Sequence, residues 1–205
     1  MKLIDLEKAV AQHTGEFHCE LIREREKTKT VHFFHEVTPP AESSDLPQIG
    51  RLKDFYDTFG SVVFYYDEKS GEAAKHIAPI SEWPGLHEDF SEWTRHLDDE
   101  ERSEVLPDWI GSCLVIGETP HSGNYILMPT EGEMAGHVFE FDHDGFEFSE
   151  EAKNVVEYVE KLLHPDSSRL VEIASHMRFV EGDYSVQWWI CKMTDNKGHE
   201  VSINM

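Results

Sequence analysis

Apolar positions recur along this chain with two different periods, and the switches between them lay out the elements. Residues 3–11 space their apolar side chains as a short helix does, whereas Phe17 to Leu21 and Val31 to Val37 alternate as strands do. The charged run REREKTK between those strands reads as a solvated hairpin tip. TPPAESSDLP follows, and its prolines and serines disfavour both helix and central strand, marking a tether. Beyond it Ile49, Leu52, Phe55, Tyr56 and Phe59 recur at helical spacing, from Pro47, where a helix can start, to Gly60, which stops it. SVVFYY is a β-branched and aromatic strand, DEKSG a turn, and AKHIAPI its returning neighbour.

Leu86, Phe90, Trp93 and Leu97 predict one helix with a single buried stripe, whose other faces carry Glu88, Asp89, Glu92, Asp98 and Asp99. Cys113 to Ile116, Asn124 to Met128 and His137 to Phe141 predict an antiparallel meander, separated by turns at Gly117, Gly123, Gly132 and Gly136. Ser149 reads as the cap of a helix with Glu150 and Glu151 in its first turn, Val155, Val156, Val159, Leu162 and Leu163 on one face, and Pro165 just beyond. YSVQWWICKM, the turn DNKG and HEVSINM form a closing hairpin. Together these elements predict an α+β fold. It divides into an N-terminal extension (residues 1–40), a core (residues 41–164) and a C-terminal hairpin extension or sheet continuation (residues 165–205).

Composition changes this picture mainly through charge. A chain of 205 residues is long enough to bury roughly 70% of its unfolded surface. Its 39% hydrophobic content lies far above that of disordered segments. The 41 acidic and 18 basic residues leave a net charge of −23, and residues 38–164, with 28 acidic against 8 basic, carry −20 of it. Such a field repels phosphate backbones and anionic lipid and attracts a cationic partner, which argues against direct nucleic-acid or membrane binding. Three cysteines in apolar or strand-like settings predict core thiols, not a disulfide framework. With no uninterrupted apolar stretch at the start of the chain, a cytoplasmic location is expected.

Searching for catalytic chemistry removes the common explanations for the acid. G-x-S-x-G, the phosphate-cradling glycine loops and H-E-x-x-H do not occur, so no catalytic residue, cofactor or metal site is expected. Thirteen histidines are many, but His32 and His35 in HFFH would point to opposite faces of a strand. EFDHDGFEFSEE can be written as a twelve-residue calcium loop, with Glu140, Asp142 and Asp144 at positions one, three and five, Gly145 at the turn and Glu151 at twelve. Against that frame stand the Glu at its first position, the charged Glu147 at its eighth, and entry from a strand. Asp142 and Asp144 are explained more simply as bonding backbone amides in a turn.

LPQIGRLKDFYDTFGS, PDWIGSCLVIG, SGNYILM, GHVFEFDHD and AKNVVEYVEKLL, in that order and spacing over about residues 45–164, resemble the SUKH superfamily. That family includes the fungal cell-wall synthesis regulator and many bacterial immunity proteins. The resemblance implies an α+β fold with a mainly antiparallel sheet and flanking helices, no catalytic centre, and binding as the activity. Trp109, Gly117, Gly123, Asn124, Gly136 and Asp142 match its recurring pattern, most of them as fold determinants, while the acidic stretch Glu88 to Glu104 and both ends of the chain depart from it. The expected function is that of an immunity protein neutralising a cationic toxin domain, with a nuclease as one toxin class. Its contact set would be Glu88, Asp89, Glu92, Asp98, Asp99, Glu100, Glu101, Asp142 and Asp144. The alternatives are an intracellular scaffold or regulator of the cell-wall synthesis type, and a calcium-binding module. An acidic helix face serves equally as a solvated surface, and local charge does not distinguish the two.

Overall fold

The computed structural model describes residues 3–40 and 46–203; residues 41–45 of the predicted tether lie outside the described residues. Helix α1 (Leu3–Gln12) buries Leu6 and Val10 and leads into β1 (Gly15–Leu21). Ile22 and Arg23 make the turn into the long strand β2 (Glu24–Thr38). The charged run lies at the tip of this hairpin as expected, with part of it in strand: Arg23 is in the turn, Glu24, Thr28 and Lys29 pair with β1, and Arg25 to Lys27 fall in a shift of register between them, most of the side chains in water. β2 serves two partners in succession: its first part pairs with β1 as far as Phe33, and from Phe34 onward it pairs with β3 (Ser61–Tyr66).

Between β2 and β3 lies α2 (Leu52–Tyr56), much shorter than the predicted run from Pro47 to Phe59. Leu52, Phe55, Tyr56 and Phe59 are all buried, so the predicted face holds. The start is displaced because Gly50 (φ 48°) and Arg51 (φ 57°) are left-handed. Gly50 packs backbone to backbone against Gly136, where a Cβ on Gly50 would lie 2.1 Å from the Gly136 carbonyl oxygen. No helix extending back to Pro47 accommodates that contact.

Strand β4 (Lys75–Ile77) returns beside β3 as expected. The acidic region forms two helices instead of one: α3 (Trp83–Thr94) and α4 (Asp99–Val105). The division follows from Asp98, whose carboxylate accepts from the N–H groups of Glu100 and Glu101 while the Glu101 side chain returns to the Asp98 N–H. The meander β5 (Cys113–Thr119), β6 (Asn124–Pro129) and β7 (Val138–Asp142) matches expectation. The next element does not. Ser149 lies in strand β8 (Glu147–Ala152), paired with β7, and the helix α5 (Val155–Leu162) is capped by Asn154, which accepts from the Glu157 N–H.

Helix α6 (Ser167–His176) was not anticipated in the C-terminal segment; Asp166 caps it and Leu170, Ile173 and Ala174 are buried. Short β9 (Phe179–Glu181), β10 (Asp183–Asp195) and β11 (Glu200–Ser202) complete the chain. The strands join as β11-β10-β1-β2-β3-β4-β5-β6-β7-β8, with β9 beside β10, and every pairing is antiparallel. This is the predicted α+β class with its large antiparallel sheet. At its centre Tyr65 is fully buried against Phe17 and Phe33, its hydroxyl donating to the Leu162 carbonyl of α5. No described helix is long and apolar enough to cross a membrane.

Candidate functional site

All nine acids of the expected contact set are exposed. The structure divides them. Glu88, Asp89 and Glu92 lie on the outer side of α3, opposite the buried Leu86 and Phe90. Asp98, Asp99, Glu100 and Glu101 form the N-terminal end of α4, where acids complement the helix dipole. Arg102 ties α4 back to α3 by donating to the Thr94 carbonyl at 2.9 Å. Several of these carboxylates already have partners: Glu92 pairs with Arg95, and Asp98 and Glu101 cap one another's amides.

Asp142 and Asp144 belong to the tip between β7 and β8, and a ring contact joins that tip to α3. Trp93 packs against His143 with ring centroids 4.8 Å apart and the planes tilted by 47°. It was expected in the buried stripe, yet it remains 39% exposed. Gly123 makes room for it, since a Cβ there would come within 2.8 Å of the indole. Trp93 is thus a partly open aromatic side chain on the helix that carries Asp89 and Glu92, and it touches the His143 ring that stands between Asp142 and Asp144 in sequence.

Asn124 fixes the orientation of His143. Its side-chain oxygen accepts from the His143 backbone N–H at 3.0 Å and from Nδ1 at 2.7 Å. A backbone amide only donates, so the Asn124 oxygen is identified, Nδ1 carries a proton, and Nε2 faces the Asp144 carboxylate at 3.2 Å. The Asn124 amide group reaches His176 of α6 at 3.5 Å. Burial, and then Lys75, lower the His176 pKa below its ordinary value. These residues line a cleft of about 650 Å³ between the β5–β6 turn, the β7–β8 hairpin and α6.

The floor of that cleft is a buried ion cluster. Lys75, almost wholly buried, uses all three ammonium protons: on Thr119 (2.8 Å), on Glu140 (2.8 Å) and on Glu172. Arg169 donates to Glu140 (2.7 Å), Glu172 (2.6 Å) and Glu151 (2.5 Å), and the Tyr158 hydroxyl donates to Glu140 at 2.6 Å. Burial alone raises Glu140, but Lys75 and Arg169 outweigh it and hold the carboxyl far below its usual range. Glu172 is pushed up by burial, and Glu140 beside it acts in the same direction. Two carboxylates driven apart in this way are an acid–base pair in principle. Here their oxygens are committed to Lys75 and Arg169, and the arrangement is structural.

The same cluster disposes of the twelve-residue calcium geometry. Glu140 and Glu151 both turn to Arg169, and the segment is a hairpin. Asp142 accepts from the Asp144 N–H at 3.1 Å, the turn bond expected for it. Asp142, His143 and Asp144 do bring one donor atom each within 4.8 Å of one another. Two of these are exposed carboxylates on one turn, which is common without a metal.

Sequence reasoning missed α6, and with it Arg169, Glu172 and His176. The signal was present as Asp166 followed by Leu170, Ile173, Ala174 and Met177 at helical spacing. The expected core thiols fare unevenly: Cys19 is buried and its pKa is pushed by burial up to about 12, whereas Cys113 and Cys191 are half-buried. All three are free. No protein-family model, no curated protein and no solved structure matches the chain.

Proposed function

We propose that this chain is a non-enzymatic binding protein, an immunity protein of the SUKH type that docks its acidic surface on the cationic active cleft of a toxin. A nuclease is the toxin class that fits best, because a cleft built to hold phosphate is itself cationic. The observation that carries this reading is Trp93, 39% exposed, on the same helix as Asp89 and Glu92 and in ring contact with His143, the neighbour in sequence of Asp142 and Asp144. Tryptophan is the side chain most often found as an energetic anchor of interfaces. Acids around it steer a cationic partner and fix its orientation. The concentration of charge in residues 38–164 supports the same reading, since that segment supplies α3, α4 and the β7–β8 tip.

Co-expression with candidate toxins encoded beside the gene tests the proposal. Glu88, Asp89, Glu92, Asp99 and Glu100 are changed to Lys, leaving Asp98 and Glu101 to cap α4. Protection is expected to disappear, with circular dichroism unchanged. Trp93→Ala alone is expected to weaken the complex by roughly 30-fold or more. Undiminished protection by the charge-reversed chain sinks the docking face.

A further inference from the structure

Three polar side chains meet in the core away from the acidic surface: His13 after α1, His35 on β2 and Asp195 at the end of β10, exposed by 0%, 6% and 5%. The direction of every bond among them follows from one backbone amide. In β3, Phe64 and Tyr65 stand together opposite His35 at a shift in register, and Tyr65 adopts φ 57°. Its N–H leaves the ladder and donates to His35 Nδ1 at 3.0 Å. His35 therefore carries its proton on Nε2 and donates to His13 Nδ1 at 2.6 Å. His13 in turn carries its proton on Nε2 and donates to Asp195 Oδ2 at 3.2 Å. The other Asp195 oxygen accepts the N–H groups of Lys197 and His199, both at 2.8 Å.

Neither ring has a vacant acceptor. A proton added at His13 Nδ1 would face the His35 N–H across 2.6 Å, and one at His35 Nδ1 would face the Tyr65 N–H across 3.0 Å. Donor against donor is repulsive on either ring, and burial of both rings removes the solvent screening that would relieve it. Tyr65 adds to this: a bulky residue in the left-handed region is strained and persists only while its surroundings hold it. We propose that His13, His35 and Asp195 form a proton-operated latch, in which one added proton frees α1 and the β10–β11 turn from β2 and β3. This is independent of the docking surface, which lies on α3, α4 and the β7–β8 tip.

Both histidines are held below their ordinary pKa, primarily by burial. The groups that face them are few. Asp195 on β10 raises His13, while Lys197 of the β10–β11 turn and His164 after α5 lower it, and His13 itself lowers His35. Tyr65, from β3, is pushed up by burial and by Asp195, against which Arg169 of α6 acts. The unfolded chain thus takes up protons near pH 6.5 that the closed latch refuses, so stability is complete above that pH and falls as pH drops. Each neutral ring makes the closed-to-open ratio fall roughly tenfold per pH unit below about 6.5, and the pair about a hundredfold.

The test uses the full chain, titrated from pH 7.5 to 5 by histidine nitrogen NMR and amide hydrogen exchange. At pH 7.5 both rings should show the Nε2–H tautomer and the Tyr65 amide should be protected. On acidification, α1 and β10 should lose protection with a dependence approaching two protons, before β6 and β7 do. His35→Gln keeps a donor for His13 but cannot titrate, and the dependence should fall to about one proton. If that variant does not fold at pH 7.5, the wild-type ring titrations decide alone. Either ring protonating reversibly while the Tyr65 amide stays protected overturns the latch. So does an unchanged proton dependence in a folded His35→Gln chain.

Discussion

His13, His35 and Asp195 hold one another by the direction of their protons, whereas Lys75, Glu140, Glu172, Arg169 and Glu151 hold one another by the matching of charges. Both groups are taken out of water and both link elements far apart in sequence, yet they solve burial differently. In the first, two rings stay neutral and the single carboxylate is satisfied by two backbone amides and an imidazole. In the second, two cations lie among three carboxyls and a tyrosine hydroxyl, so a missing member leaves charge behind. The ionic cluster should therefore be the less tolerant of substitution, and the histidine chain the more sensitive to pH.

Substitution at Lys75 gives the largest expected effect. Lys75→Met leaves Glu140 and Glu172 without their shared ammonium and should cost about 3–5 kcal/mol in urea denaturation. Adding Glu140→Gln should restore part of that loss, because the orphaned charge is removed with its partner. If the single variant costs no more than a neutral hydrogen bond, the contrast between the clusters collapses. Tyr158→Phe, which deletes one donor to the charged Glu140, should cost about 1.5–3 kcal/mol.

His13→Leu keeps the volume of the ring but leaves the His35 N–H unpaired, and about 1–3 kcal/mol at pH 7.5 is expected from the same denaturation. The variant should also flatten the pH profile. Its sign is opposite to that of Glu172. The histidines, lowered in the fold, give stability present above about pH 6.5 and lost as pH falls. Glu172, raised in the fold, contributes stability present below the ordinary carboxylate pKa and lost as pH rises through its folded value. Thr119→Val takes one acceptor from the charged Lys75 ammonium and, like Tyr158→Phe, should cost about 1.5–3 kcal/mol.

The same contrast marks what the amino-acid order reveals. SVVFYY, the three meander strands and the closing hairpin were legible because β-branched and aromatic runs bounded by turn residues favour a strand backbone. Exposure of the nine acids was legible too, since carboxylates that are not neutralised in the core stay in water. Ser149 misled because a serine followed by two glutamates imitates a helix start, and only pairing with β7 makes that segment a strand. Asp98 divided the acidic region because a capping box outranks continued spacing. Trp93 has helical spacing but stays partly in water, because it packs on the His143 ring and Gly123 at the edge of the sheet instead of in the core.

Sequence by itself determined the α+β class, the location of the negative charge and the surface on which it stands, all consequences of local periodicity and hydration. Tertiary structure alone decided that Glu140 would meet Lys75 from 65 residues away, that Glu172 would meet it from 97, and that His13 would lean on His35 and Asp195. A periodic pattern records which side of a backbone faces water. The partner of a buried charge, or the acceptor of a buried proton, is recorded only where separate elements converge.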